Sequence, residues 1–323
     1  MSRIFITGGT GFIGASITKK LLKEGDEVLL HDAFLNFIDP LESNYEAYLK
    51  LRLKDIKGKA EIVRGDIRHK GRFLKIMQKF KPNIVIHLAA LPIAKHSNIY
   101  SEDAFGINLH GTVNVLESIR QVDSVKRFVY ASSSMVYGDF QKSPANENHP
   151  LDPIEVYGGT KLASEILTKS YQRRFDIEYT IIRPSAVYGP TDVNKRVSQI
   201  FVENALKGKT LKLEGDGQTK LDFTYIEDIS QGFVLATKSD KAKNEVFNIT
   251  RGEGRSLKEF VEILEGIIPN LKTEIAPVDM KRPERGALDI TKAKKLLGYD
   301  PQYSLEEGLK EYVEFVKKSG VIK

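Results

Sequence analysis

Thr7-Gly8-Gly9-Thr10-Gly11-Phe12-Ile13-Gly14 is the stretch from which the fold can be read. Gly8, Gly11 and Gly14 stand three apart, after the apolar run Arg3–Thr7 and at the start of the amphipathic stretch Phe12–Lys23. In a strand–turn–helix unit the first glycine permits a sharp turn. The second lets a pyrophosphate approach the backbone, and the third lets the helix pack on the strand. The helix start then aims free N–H groups and a positive dipole end at phosphates. Such glycines also occur in turns without a ligand, but the strand before and the helix after favour a dinucleotide site.

Outward from this unit the same rhythm repeats. Glu27–His31, Ala60–Arg64, Ile84–Leu88, Arg127–Ala131 and Tyr179–Arg183 are short runs rich in Ile, Val and Phe, as in strands buried on both faces. His69–Phe80, Glu102–Ile119 and Tyr157–Phe175 read as helices between them, and Gly25 stops the first helix. Repeated βα units with right-handed crossovers predict a doubly wound parallel sheet of the α/β class. After Arg183-Pro184 the rhythm loosens, with helices expected at Arg196–Leu206, Leu257–Ile267, Thr291–Leu297 and Leu305–Lys317. This divides the chain into a dinucleotide domain, residues 1–183, and a smaller mixed α/β substrate lobe, residues 184–323. The segment Glu245–Ile249 is a candidate to rejoin the main sheet.

Composition narrows the chemistry. The 323 residues include no cysteine, which excludes disulfides, thiolate nucleophiles and cysteine-held metals. The six histidines show no metal spacing, so no metal is expected. No secretion signal and no apolar run of membrane-spanning length is visible, so a cytoplasmic protein without membrane contact is expected. The net charge of +6 suits an anionic small molecule. The basic stretch Lys50, Arg52, Lys54, Lys57 and Lys59 reads as a solvated helix face, and no nucleic-acid partner is expected.

Asp32 follows the second strand, 32 − 14 = 18 residues after Gly14, near the ~20 at which an acid meets the adenosine ribose. A carboxylate there repels a 2′-phosphate, and Ala33-Phe34 follow instead of Arg, so the cofactor expected is NAD. Phe12 and Ile13 belong to the same turn. Asp66-Ile67 would hold the adenine edge, and Leu88-Ala89-Ala90 would offer a wall of small side chains.

Tyr157 and Lys161 lie four apart, on one helix face. A phenol is a poor base at neutral pH, but a cation ~4 Å away is worth about 4 kcal/mol at an effective dielectric near 20. That would bring Tyr157 toward the pH at which a base removes a hydroxyl proton during hydride transfer. The pair alone fits a wet helix equally well. Gly158 and Gly159 inside that helix imply a close neighbour, and Ser132-Ser133-Ser134 end the fifth strand where a substrate would lie. Ser132 reads as part of a polar strand end.

With these residues the chain resembles the extended short-chain dehydrogenase/reductases, and among them the NAD-dependent nucleotide-sugar epimerases and dehydratases. The resemblance spans nearly the whole chain. It rests on the glycine turn, His87-Leu88-Ala89-Ala90, Ser132 to Gly138, Tyr157-Gly158-Gly159-Thr160-Lys161, Arg183-Pro184 with Val187-Tyr188-Gly189-Pro190, and Gly215-Asp216-Gly217 before Asp222-Phe223. It implies a Rossmann domain, catalysis by Ser133, Tyr157 and Lys161, and Ser134 beside the substrate. It also implies adenosine contacts by Asp32, Asn36, Asp66 and Ile67, and a cofactor contact by Asn108. A homodimer would pair the Asn108 and Tyr157 helices.

The reaction that this resemblance favours is 4-epimerisation of a nucleotide-diphosphate sugar through a transient 4-keto sugar. Related dehydratases resemble Thr-Asp-Glu where this chain has Ser133-Ser134-Met135, and related 3,5-epimerases use a cysteine. A dehydratase with its acid and base elsewhere is the alternative, and a non-catalytic NAD sensor a second. Ala186 and Leu221 replace an Asn and an Arg that relatives often place near the diphosphate, leaving Lys220 or Arg282 to supply charge. Gly286 falls where related 4-epimerases carry a gate beside the sugar, and a small gate would admit an N-acetyl or other bulky group.

Overall fold

The computed structural model describes residues 1–39, 43–279 and 281–322. Six strands alternate with helices as the sequence pattern predicts: β1 (Arg3–Thr7), β2 (Glu27–Asp32), β3 (Glu61–Arg64), β4 (Ile84–His87), β5 (Arg127–Ala131) and β6 (Tyr179–Arg183). All pair in parallel, and Glu245–Asn248 adds a seventh strand beside β6. From one edge the order is Glu245–Asn248, β6, β5, β4, β1, β2, β3. Every residue of β5 and β6 is buried, which is why these strands read as mostly apolar runs. The order reverses between β4 and β1, so a crevice opens at the carboxyl ends of those two strands.

Most helices begin and end where the apolar periodicity does, among them Phe12–Lys23, Leu257–Ile267 and Thr291–Leu297. Leu257–Ile267 and Leu305–Ser319 are each opened by a capping box, Ser256 with Glu259 and Ser304 with Glu307. The stretch read as one helix, Glu102–Ile119, is instead Ser101–Ala104, a π-helical turn Phe105–His110, and Gly111–Ile119. Widening the turn accompanies a tertiary bond: Asn108, inside it, accepts the Leu91 N–H at 2.8 Å.

The helix Ile226–Lys238 carried no sequence expectation. It packs on Phe12–Lys23, where Lys20 meets Glu227 at 2.7 Å and Ser16 meets Ser230 at 3.0 Å. Chain beyond residue 184 therefore supplies a helix and a strand to the sheet layer. One core cluster runs from Ile4 and Ile6 of β1 to Leu309 and Val313 near the carboxyl end. Among the described residues no helix is long and apolar enough to cross a membrane.

Candidate active site

At the end of β1, Gly8 adopts φ 67°, and its N–H donates to the His31 carbonyl at the end of β2. A Cβ at Gly8 would lie 2.7 Å from the Ala89 nitrogen, so the turn presses on the chain leaving β4. A Cβ at Gly14 would lie 2.5 Å from the Gly8 carbonyl oxygen, the close helix–strand packing expected of the third glycine. Gly11 is the uncapped N-cap, and the first closing bond runs from Ala15 N–H to Gly11 O. The N–H groups of Phe12, Ile13 and Gly14 precede it and face the crevice. Asp32 closes the turn from the other side, accepting the Thr10 N–H at 3.0 Å and the Phe34 N–H at 2.8 Å.

These residues form one end of a cavity of about 1840 Å³. That exceeds the ~300–1,000 Å³ of an ordinary small-molecule pocket and leaves room for a dinucleotide with a second ligand. Gly8, Gly11, Phe12, Ile13, Gly14, Asp32, Asp66, Ile67, Leu88, Ala89 and Ala90 all line it. So do Ser133, Ser134, Tyr157, Lys161, Lys220 and Arg282. Two residues expected at the cofactor do not. Asn36 turns its side chain to the Ile38 N–H in a local turn, as Asn side chains often do outside strands. Asn108 is buried behind the wall, bonded to Leu91 and to Thr160 of the Tyr157 helix, and so ties two walls together.

The reacting end is built on β5 and the helix Val156–Phe175. Ser133 caps the short helical turn Ser134–Tyr137, accepting the Met135 N–H at 3.2 Å. Ser132 points away, donating to the buried Glu165 at 2.5 Å. Glu165 in turn holds Arg183 at 2.7 and 2.9 Å, and Arg183 donates to the Tyr137 hydroxyl. A Cβ at Gly158 would meet the Met135 carbonyl at 2.5 Å, whereas Gly159 faces open space. Only one of the two helix glycines therefore answers to a close neighbour.

Electrostatics at the Tyr157–Lys161 pair differ from the sequence expectation. Lys161 gives its ammonium to the Ala131 carbonyl at 2.7 Å and sits 5.8 Å from the centre of the Tyr157 ring. Burial lowers the Lys161 amine to about 7, against an upward pull from Glu165. Burial likewise pushes the Tyr157 phenol up, while the Arg196 charge and a hydrogen bond with Ser133 pull it down. The water-poor wall disfavours charge on both groups, which outweighs the acidification expected from lysine alone.

Four residues depart from the sequence expectation or add to it. Arg52, taken for part of a solvated basic face, is only 3% exposed because it shares a helix face with the buried Tyr48. Its guanidinium donates to Thr10 O in the glycine turn at 3.4 Å and to Thr191 O in the second lobe at 2.5 Å. Arg196 lines the cavity and is held by the buried Asp192 at 3.1 Å. Gly286 does not line the cavity and so is no gate: a Cβ there would lie 2.6 Å from the Ser143 hydroxyl. Arg282, expected to supply free positive charge, is committed to Glu214 at 2.7 and 2.8 Å.

The model of the GDP-mannose 4,6 dehydratase family matches residues 5–312. The chain belongs to that family of extended short-chain dehydrogenase/reductases. Within it, this dehydrogenase/reductase is similar to a putative UDP-glucose 4-epimerase of Methanocaldococcus jannaschii, 35% identical over 98% of this chain and 99% of the relative. It is 32% identical to a UDP-glucuronate 4-epimerase of Thermodesulfobacterium geofontis, over 99% and 97% of the two chains. Its fold overlays that of a Bacillus cereus UDP-glucuronic acid 4-epimerase crystallised with UDP-glucuronic acid and NAD. The TM-score is 0.90 at 28% identity, over 98% of this chain and 99% of the other.

Proposed function

We propose that this dehydrogenase/reductase is an NAD-dependent 4-epimerase of UDP-sugars. The observation that carries the reading is the convergence of Ser133, Tyr157 and Lys161 on the same cavity as the glycine turn. The relatives named above are a putative UDP-glucose 4-epimerase and two UDP-glucuronate 4-epimerases. The residues fit NAD: the N–H groups of Phe12, Ile13 and Gly14 suit its pyrophosphate, and Asp32 suits an unphosphorylated ribose.

NAD held by the glycine turn and Asp32 would supply reversible hydride-acceptor chemistry at carbon 4 of the sugar, and a positive ring charge near Tyr157. Tyr157 takes the proton of the 4-hydroxyl as hydride leaves and returns it when the keto sugar is reduced. Ser133 donates to the same sugar oxygen and holds it in line. Lys161, locked on the Ala131 carbonyl, keeps a proton-bearing nitrogen beside the phenol. The turn Ser134–Tyr137 carries no carboxyl group, which weighs against a dehydratase that would need an acid and a base there. Ser134 would meet the sugar, and the chain from 184 onward would cover the nucleotide.

In this reading the protein works in the cytoplasm, where NAD and nucleotide sugars circulate. It pairs as a homodimer through exposed apolar side chains, Phe105 beside Asn108 and Ile166 on the Tyr157 helix. The test is incubation of the purified protein with NAD and UDP-glucose, UDP-galactose, UDP-glucuronate or UDP-galacturonate, followed by proton NMR. The C4 epimer is expected; a 4-keto product would overturn the reading in favour of the dehydratase, and unchanged sugars would overturn catalysis.

A further inference from the structure

Four arginines line the cavity among the described residues: Arg52, Arg196, Arg282 and Arg285. The first three are engaged, with Thr10 and Thr191, with Asp192 and with Glu214. Arg285 has no hydrogen bond or ion pair among the described residues, and its Nε is buried without a partner. Buried polar groups are nearly always satisfied, so an unpaired guanidinium in a cavity wall marks a place where a ligand supplies the acceptor.

The backbone puts Arg285 at the reacting end. Its neighbour Glu284 donates an N–H to Asp139 at 2.7 Å and accepts the Phe140 N–H at 2.9 Å. Asp139 and Phe140 follow, after Gly138, the turn that Ser133 caps. The main charge acting on Arg285 in its favour is Glu155, two residues before Tyr157, and Glu155 is itself held by Asn98 at 3.1 Å. Burial makes the guanidinium harder to keep charged, lowering it to about 10. An anion at that end would reverse this penalty, and two parallel N–H groups match the two oxygens of a carboxylate.

A UDP-sugar has its diphosphate toward the nucleotide, and it offers an anion at the sugar only when the hexose carries a carboxyl group. The relatives divide between neutral glucose and glucuronate as named substrates. Resting on the nucleotide-sugar reading above, we infer that Arg285 is a specificity-determining residue that pairs with the carboxylate of a hexuronic acid, making UDP-hexuronates the preferred substrates.

Binding tests this independently of turnover. The NAD-loaded protein is titrated calorimetrically with UDP-glucuronate, UDP-glucose and UDP. A charge-assisted contact predicts that UDP-glucuronate binds roughly 10- to 100-fold more tightly than UDP-glucose. Arg285→Gln should collapse that ratio toward one, and Arg285→Lys should restore part of it. A melting temperature close to that of the parent shows that the variants are folded. Equal affinity for the two sugars in the parent protein would overturn the inference. So would an equal loss for all three ligands in Arg285→Gln, which would place the arginine on the diphosphate. If the sugars bind in the predicted order but no epimer forms, the 4-epimerase reading fails and this one stands.

Discussion

The Lys161 ammonium donates to the Ala131 carbonyl at 2.7 Å, tying the helix of the reacting pair to the end of β5. Burial holds its folded-state pKa near 7, against an ordinary value of 10.5. Between those pH values the unfolded chain binds more protons than the folded one, so stability rises with pH across the window. In the NAD-free protein, Lys161 should contribute a slope approaching about 1.4 kcal/mol per pH unit above pH 7. Lys161→Met should remove that slope, as measured by urea unfolding at pH 7, 8 and 9. An unchanged slope would show the amine to be solvated.

Tyr157 is the one side chain assigned to move a proton. Tyr157→Phe keeps the ring and should lower kcat by about 10²–10⁴-fold while NAD affinity changes little. Stopped NMR assays of epimer formation, together with calorimetric NAD titration, read both quantities. Ser133→Ala should lower kcat less, since Tyr157 remains in place.

The glycines separate close packing from mere flexibility. Gly14→Ala sets a Cβ 2.5 Å from Gly8 O and 2.8 Å from Gly9 Cα, so the turn must shift. A loss of about 1–3 kcal/mol in stability is expected, with weaker NAD binding. Gly159→Ala meets nothing within 4 Å in the first turn of its helix and should stabilise by up to about 1 kcal/mol. Thermal unfolding of the two variants side by side checks the contrast.

The Arg183–Glu165 pair is almost fully buried, at 1% and 0% side-chain exposure. Glu165→Ala strands the guanidinium and frees Ser132, so a loss of roughly 3–5 kcal/mol is expected in denaturant unfolding. A loss below 1 kcal/mol would mean that water replaces the carboxylate.

The strands, the glycine turn and the Tyr157–Lys161 face were legible because each is local. Period, length and the steric needs of glycine act within a few residues. Asn36 and Asn108 were read as ligands because sequence position shows nearness along the chain and not the direction of a side chain. Arg52 was misread for the same reason: its charge suggests solvent, and only packing beside Tyr48 buries it.

By itself the amino-acid order determined the doubly wound sheet, the dinucleotide turn and the residue types able to shuttle a proton and hydride. Tertiary structure alone decided how each charge is spent. Arg282 is neutralised by Glu214, and Arg285 is left without a partner among the described residues. Lys161 is stripped of water. Helix and strand patterns come from interactions between near neighbours in the chain, whereas solvation and ion pairing depend on segments more than 60 residues apart, such as Glu214 and Arg282.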